Sequence, residues 1–218
     1  HQVAFGATIG IIRRVELIPT IRPRRRIPGL ASAWNRLRGR SGEALTLAEL
    51  PCLPVAAAKV QTLASPADYR ETILALIAQA KRRILIAALY LQDDDAGREV
   101  LSALYAAKKA QPQLEVSVFV DWHRSQRGLI GKVKSDGNAA LYRSMAERFG
   151  PGVTVYGVPV QRRELMGVLH LKGLVIDDHV LYSGASLNDV YLQRHGRYRL
   201  DRYRRIDDGD LADSLAGL

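Results

Sequence analysis

His170-Leu171-Lys172-Gly173-Leu174-Val175-Ile176-Asp177, followed by the short stretch Ser186-Leu187-Asn188, is the part of this 218-residue chain best equipped for chemistry. In an extended segment, residues two apart share a face, so His170 and Lys172 stand side by side. An imidazole beside an ammonium suits a phosphate ester. Lys172 would neutralise the non-bridging oxygens, while His170 either attacks phosphorus or delivers a proton. Asn188, on the turn after the neighbouring strand, can donate an amide hydrogen bond to the same phosphate. Asp177 has the opposite parity and ends the strand, which fits a turn or orienting residue better than a group touching substrate. Leu171 and Val175 are expected to face the core.

The flanking sequence supplies elements to hold this strand. Ser65-Pro66 is a helix start, with Ser as cap, Pro at the first helical position and Asp68 in the first turn. Tyr69, Ile73, Leu76, Ile77 and Ala80 then fall on one helical face. The run Arg83 to Leu91 reads as a strand buried on both sides. A second helix with Val100, Leu101, Leu104 and Ala107 inward stops near Pro112. Strands follow over residues 115–121 and 153–158, with a helix over 139–149 between them. Two more are expected over 167–176 and 180–183, joined by the turn Asp177-Asp178-His179, and a last one over 198–206. This order predicts a mixed β-sheet with helices packed against it, an α/β lobe.

Composition narrows the function classes. The chain is 47% hydrophobic and 25% charged, which is compatible with a packed core and not with a low-complexity polymer. The single cysteine, Cys52, excludes an internal disulfide framework and a multi-cysteine zinc site, and suits a reducing compartment. No apolar run reaches the roughly 18 residues that a membrane-spanning helix needs. Nine arginines against three glutamates give residues 1–50 a net +6 of the chain's +10. These residues are expected to form a separate basic extension, either an arm drawn to polyanions such as nucleic acid or an anionic membrane, or a disordered or cloning-derived leader. Residues 51–218 are the folded unit.

The H-x-K-x4-D spacing with a Ser-x-Asn turn resembles the signature of the phospholipase D superfamily. SPADYRETILALI, ALYLQDDDAG, VDWHRSQRG and GVLHLKGLVIDDHVLYSGASLNDVYL are similar, more closely, to the amino-terminal half of the bacterial phosphatidylserine synthases of phospholipase-D-like type. The likeness covers roughly residues 50–206. It implies a phospholipase-D-like lobe, one of two in the usual enzyme. His170, Lys172 and Asp177 fall on the family's catalytic motif, and Ser186 and Asn188 on its phosphate-binding turn. Where the family has Gly immediately before that Ser, this chain has Ala185, with Gly184 one place earlier. The resemblance also points to Asp201 as the carboxylate that orients the histidine; an ordinary salt bridge with a neighbouring Arg is the other reading.

The resemblance implies transfer of a phosphatidyl group from CDP-diacylglycerol to L-serine through a phosphohistidine, on the cytoplasmic face of a membrane without a spanning segment. No cofactor and no metal are expected, because Lys and Asn supply the charge stabilisation. Family members use two H-x-K motifs, and this chain has one. A second catalytic lobe must therefore come from further chain or from a second copy. The second case would equally suit a homodimeric phosphodiesterase or nuclease. Nucleic acid is not the expected partner, since the interleaved Tyr and Arg of 191–203 fit alternating strand positions. His123, in VDWHRSQRG, belongs either near the site mouth or to a surface loop.

Overall fold

The computed structural model describes residues 52–126, 137–159 and 169–217. The basic extension, the family-like stretch 127–136 and the start of the expected strand at 167 lie outside them. The elements are β1 (Val60–Leu63), α1 (Pro66–Gln79), β2 (Arg83–Ala88), α2 (Asp95–Ala110), β3 (Glu115–Asp121), α3 (Trp122–Ser125), α4 (Asn138–Phe149), β4 (Thr154–Val158), β5 (Gly173–Ile176), β6 (His179–Tyr182), β7 (Tyr203–Asp207) and α5 (Gly209–Ala216). The strands form one seven-stranded sheet in the order β1-β7-β6-β5-β2-β3-β4. β2, β3 and β4 run parallel, as their helical crossovers require, and β5 joins β2 antiparallel. The mixed α/β lobe expected from the sequence is the one observed.

Local chemistry explains the helices. Ser65 accepts from Asp68 N, and the Asp68 carboxylate accepts from Ser65 N, a reciprocal cap with Pro66 in the first turn. The α1 residues Tyr69, Ile73, Leu76 and Ile77 are buried, as are Val100, Leu101, Leu104 and Ala107 of α2. They share one core with Ile84 and Ile86 of β2, Val116, Val118 and Val120 of β3, and Leu174 and Ile176 of β5. The second face of the sheet carries a smaller cluster, in which Val175 and Val180 pack with Ala212 of α5.

Four expectations are corrected. β2 alternates buried and half-buried positions, because among the described residues the second face has only the small α5 cluster to cover it. β5 begins at Gly173, so His170 and Lys172 lie in the extended segment leading into it and not in the strand. The reason is that both partners stop there: Gly173 pairs with Ala87 near the end of β2, and β6 ends at Tyr182. For the same reason β7 begins at Tyr203, opposite Leu63, which ends β1. Leu171, expected to face the core, is 64% exposed. β1 and α5 were not foreseen.

Candidate functional site

The strand directions bring the chemistry-bearing residues to one edge of the sheet. The carboxyl ends of β2, β3, β4 and β6 and the amino ends of β5 and β7 all open there. His170 is exposed at this edge. Lys172, half-buried, donates from Nζ to the Gly184 carbonyl at 2.5 Å. Gly184 N in turn donates to Asp201 Oδ1 at 3.2 Å, and the same oxygen accepts from Arg202 N at 2.6 Å. One residue, Gly184, thus links the ammonium through its carbonyl to the carboxylate through its N–H.

That link explains the displaced glycine. A Cβ at position 184 would lie 2.9 Å from Asp201 Oδ2 and 3.2 Å from Oδ1, so the close approach requires Gly there. It also alters the role expected of Asp201. Its hydrogen bonds among the described residues go to Gly184 N and Arg202 N; it makes neither a bond to His170 nor an ion pair with an Arg. Its reach is to Lys172, through Gly184.

The turn after β6 is held from behind. Gln92 N donates to the Leu187 carbonyl at 3.1 Å, and Leu187 bridges to Leu91 where β2 runs out. Tyr142 of α4 fixes Leu91, its hydroxyl donating to Leu91 O at 2.7 Å and accepting from Leu91 N at 3.0 Å. Two reciprocal caps complete the attachment: Asp189 N donates to Asp94 Oδ2 at 2.9 Å, and Ala96 N donates to Asp189 Oδ1 at 2.7 Å. Burial pushes the Asp94 carboxyl up to about 6, against the lowering effect of its backbone bonds from Asp189 and Gly97. Ser186 is buried, and its carbonyl accepts from Asn188 N at 3.1 Å. Asn188 Oδ1 accepts from Tyr191 N at 3.0 Å, which turns the amide nitrogen into the remaining donor.

Asp177 is not part of this constellation. It sits at the far end of β5 with φ +50°. Its carboxylate accepts from Lys81 N, Arg82 N and Arg83 N at 2.8, 2.8 and 3.0 Å, tying the α1–β2 turn to the β5–β6 turn. Partial burial pushes its pKa up, but the three backbone donors and the Arg82 charge outweigh this, and the net direction is down. Four residues of chain, five residue steps, separate it from Lys172, about 16 Å if extended. Its position agrees with the turn residue expected from strand parity, and it lies apart from His170 and Lys172, with which the motif groups it.

One residue at the edge escaped notice in the sequence. Asp121, the last residue of β3, is 0% exposed and accepts from Leu169 N at 2.7 Å and from Arg124 N at 2.8 Å. The available signal was an acidic residue closing an apolar parallel strand just before a helical turn. His123, two residues on, lies in α3 at this same edge, and its buried Nε2 has no hydrogen-bond partner among the described residues. Asp95, Asp189 and His195 are the one group among the described residues whose ligand atoms are close enough to share an ion. They already pair with one another, His195 Nε2 lying 3.2 Å from Asp95 Oδ2 and 3.4 Å from Asp189 Oδ2.

The sheet and this edge define a phospholipase-D-like lobe. Over its matched part the chain is a close relative of the bacterial phosphatidylserine synthases. It is 55% identical over 170 residues to the CDP-diacylglycerol–serine O-phosphatidyltransferase of Escherichia coli, and 46% identical over 173 residues to that of Haemophilus influenzae, each match covering 78% of this chain and 38% of the relative. The crystal structure of the Haemophilus influenzae phosphatidylserine synthase superposes with a TM-score of 0.72 at 41% identity, covering 87% of this chain and 40% of that one. No family model matches. The chain thus spans well under half the length of the curated relatives it matches.

Proposed function

We propose that this chain is one lobe of a phosphatidyltransferase that makes phosphatidylserine and CMP from CDP-diacylglycerol and L-serine. The observation that carries this is the 55% identity over 170 residues to an enzyme of that name, and in support His170, Lys172 and the turn bearing Asn188 lie towards one edge of the sheet. One of the three N–H groups of the Lys172 ammonium is spent on Gly184, which leaves two for phosphate oxygens. The Asn188 amide nitrogen supplies a further donor, and Ser186 shapes the turn that presents it.

In the first half-reaction an imidazole nitrogen bonds to the phosphatidyl phosphorus as the bond to the CMP oxygen breaks. A second imidazole gives CMP its proton. In the second half-reaction that imidazole takes the proton from the serine hydroxyl, whose oxygen displaces the phosphohistidine. His170 fills one of these two roles. The other falls to a second lobe, and the greater length of the relatives supports further chain over a second copy as its source. Residues 51–218 are then a catalytic half and residues 1–50 a basic extension.

The acyl chains of such a substrate remain in the bilayer, so the edge works against a membrane surface, peripherally and on the cytoplasmic side. No described helix is long and apolar enough to cross a membrane. In support, the edge exposes Leu171, Tyr182, Tyr198 and Leu200 together with Arg197, Arg199 and Arg202. Replacing His170 with Ala in the full-length enzyme tests the proposal. CMP release from CDP-diacylglycerol and serine should fall by about 10³-fold or more, as for loss of a covalent or proton-transferring group. Activity within tenfold of the parent removes His170 from the mechanism.

A further inference from the structure

We infer that Asp121 is the positioning residue for His170: its buried carboxylate holds the backbone one residue before the imidazole and so fixes where that imidazole stands. This rests on the proposal that His170 acts at phosphorus. The segment 169–172 has no ladder to hold it, since β5 begins at Gly173. Among the described residues it has two tethers. Leu169 N donates to Asp121 Oδ2 at 2.7 Å on one side of His170, and Lys172 Nζ donates to Gly184 O at 2.5 Å on the other. The second tether acts through the long, flexible Lys172 side chain and holds the backbone loosely. The first alone grips the main chain beside His170 directly.

The anchor itself is rigid. Asp121 pairs with Val158 of β4, and its own N–H donates to the Leu89 carbonyl at 3.2 Å, so its backbone is fixed from both sides. Trp122 lies so close to β4 that a Cβ on Gly157 would be 2.6 Å from its ring, which locks the start of α3. The carboxylate is 0% exposed and has no cationic side chain paired with it among the described residues. Its partners are two backbone N–H groups, those of Leu169 and Arg124, and charge-assisted bonds of this kind are short and strongly directional. Capping α3 through Arg124 N needs only one of the two oxygens. Among the described residues the other is spent on Leu169 N, and a buried carboxylate is costly unless the placement of that segment matters.

Asp121→Asn in the full-length enzyme tests this. The carboxamide keeps the shape but accepts through one oxygen, so its NH2 group confronts either Leu169 N–H or Arg124 N–H. Displacing a reacting group by about 1 Å can cost about 10²-fold in rate. The expected result is a 30- to 100-fold lower kcat with KM for CDP-diacylglycerol within about threefold, and faster hydrogen exchange at the Leu169 amide. Asp208→Asn, the same change at a buried helix cap on the other side of the lobe, should lower the melting temperature without altering kcat. Asp121→Asn with a kcat within threefold of the parent, or with loss of activity no greater than its unfolded fraction explains, overturns the inference. His170→Ala run alongside separates the two ideas. If His170→Ala is inactive while Asp121→Asn is fully active, positioning alone is wrong; if His170→Ala is active, the role of His170 itself is wrong.

Discussion

Gly184→Ala probes the contact that ties Lys172 to Asp201. The added Cβ would meet Asp201 Oδ2 at 2.9 Å and Oδ1 at 3.2 Å, both inside normal contact distance. The oxygens end a short, exposed side chain, so the carboxylate swings away and leaves Gly184 N without its acceptor. A hydrogen bond to a charged group contributes about 1.5–3 kcal/mol when shielded, and less where water can replace the lost partner. The expected stability loss is therefore only about 1 kcal/mol, or a melting point lower by about 2–4 °C for a unit of this size. The effect on rate is larger, because releasing the Gly184 N–H frees the same residue's carbonyl, which receives Lys172 Nζ, to shift. CMP release should fall by about tenfold or more, with the loss mainly in kcat. Gly196→Ala is the control, since a Cβ there meets nothing within 4 Å. If Gly184→Ala retains activity within threefold of the parent, the link from Asp201 through Gly184 to Lys172 has no functional weight.

Gly97→Ala would place a Cβ 1.9 Å from the Gln92 carbonyl oxygen, a clash with backbone that no rotamer change relieves. A loss of about 3 kcal/mol or more in urea unfolding is expected, and near-parental stability would refute the packing described. Asp177→Ala should cost about 2 kcal/mol by orphaning three backbone N–H groups, read from the same unfolding curves. The Asp177 pKa is lowered in the fold, so its contribution is present above the unfolded carboxylate value and is lost as pH falls through the lower folded one. A parent whose stability declines below about pH 4, and an Asp177→Ala variant that declines less steeply there, is the expected pair of curves. Asp94 runs in the opposite sense. With its pKa raised to about 6, the folded state holds a proton that the unfolded chain releases, so stability falls as pH climbs from about 4 through 6. After discounting for solvent screening this amounts to about 1 kcal/mol, checked by denaturation midpoints at pH 4.5 and 7.

The helices were legible because their signals are local. The Ser65–Asp68 cap and the apolar spacing of Tyr69, Ile73 and Ile77 need only neighbours in sequence, and all three side chains are buried as expected. The strands were legible as apolar runs, but their ends were not. Where β5 and β7 begin depends on where β2, β6 and β1 stop, a property of the register and not of the residues themselves. Leu171 illustrates the cost: alternation sent it inward, whereas without a paired neighbour its side chain is left in solvent. The candidate site followed the same division. His170, Lys172 and Asn188 could be picked out by type and spacing. Asp121 could not, because its significance lies in a contact with Leu169 that only the crossing of β3 and the chain before β5 creates.

The two ends of β5 show why a short sequence motif need not be a site. H-x-K-x4-D suggests one cluster, yet a four-residue strand separates its parts. At one end Asp177 satisfies three amides of the α1–β2 turn, which sets how far β5 extends along β2. At the other end that register determines where Gly173 leaves the ladder, and so where Lys172 and His170 begin to be free. The bonds of the motif carboxylate thus bear on the strand that leads to the imidazole and the ammonium. The carboxylates that reach the working edge, Asp121 and Asp201, come from elsewhere in the chain and touch backbone amides, not the imidazole. A phosphate held at this edge would meet His170, the Lys172 ammonium and the Asn188 amide, while the negative groups that organise it stay occupied by peptide N–H donors and add little repulsion.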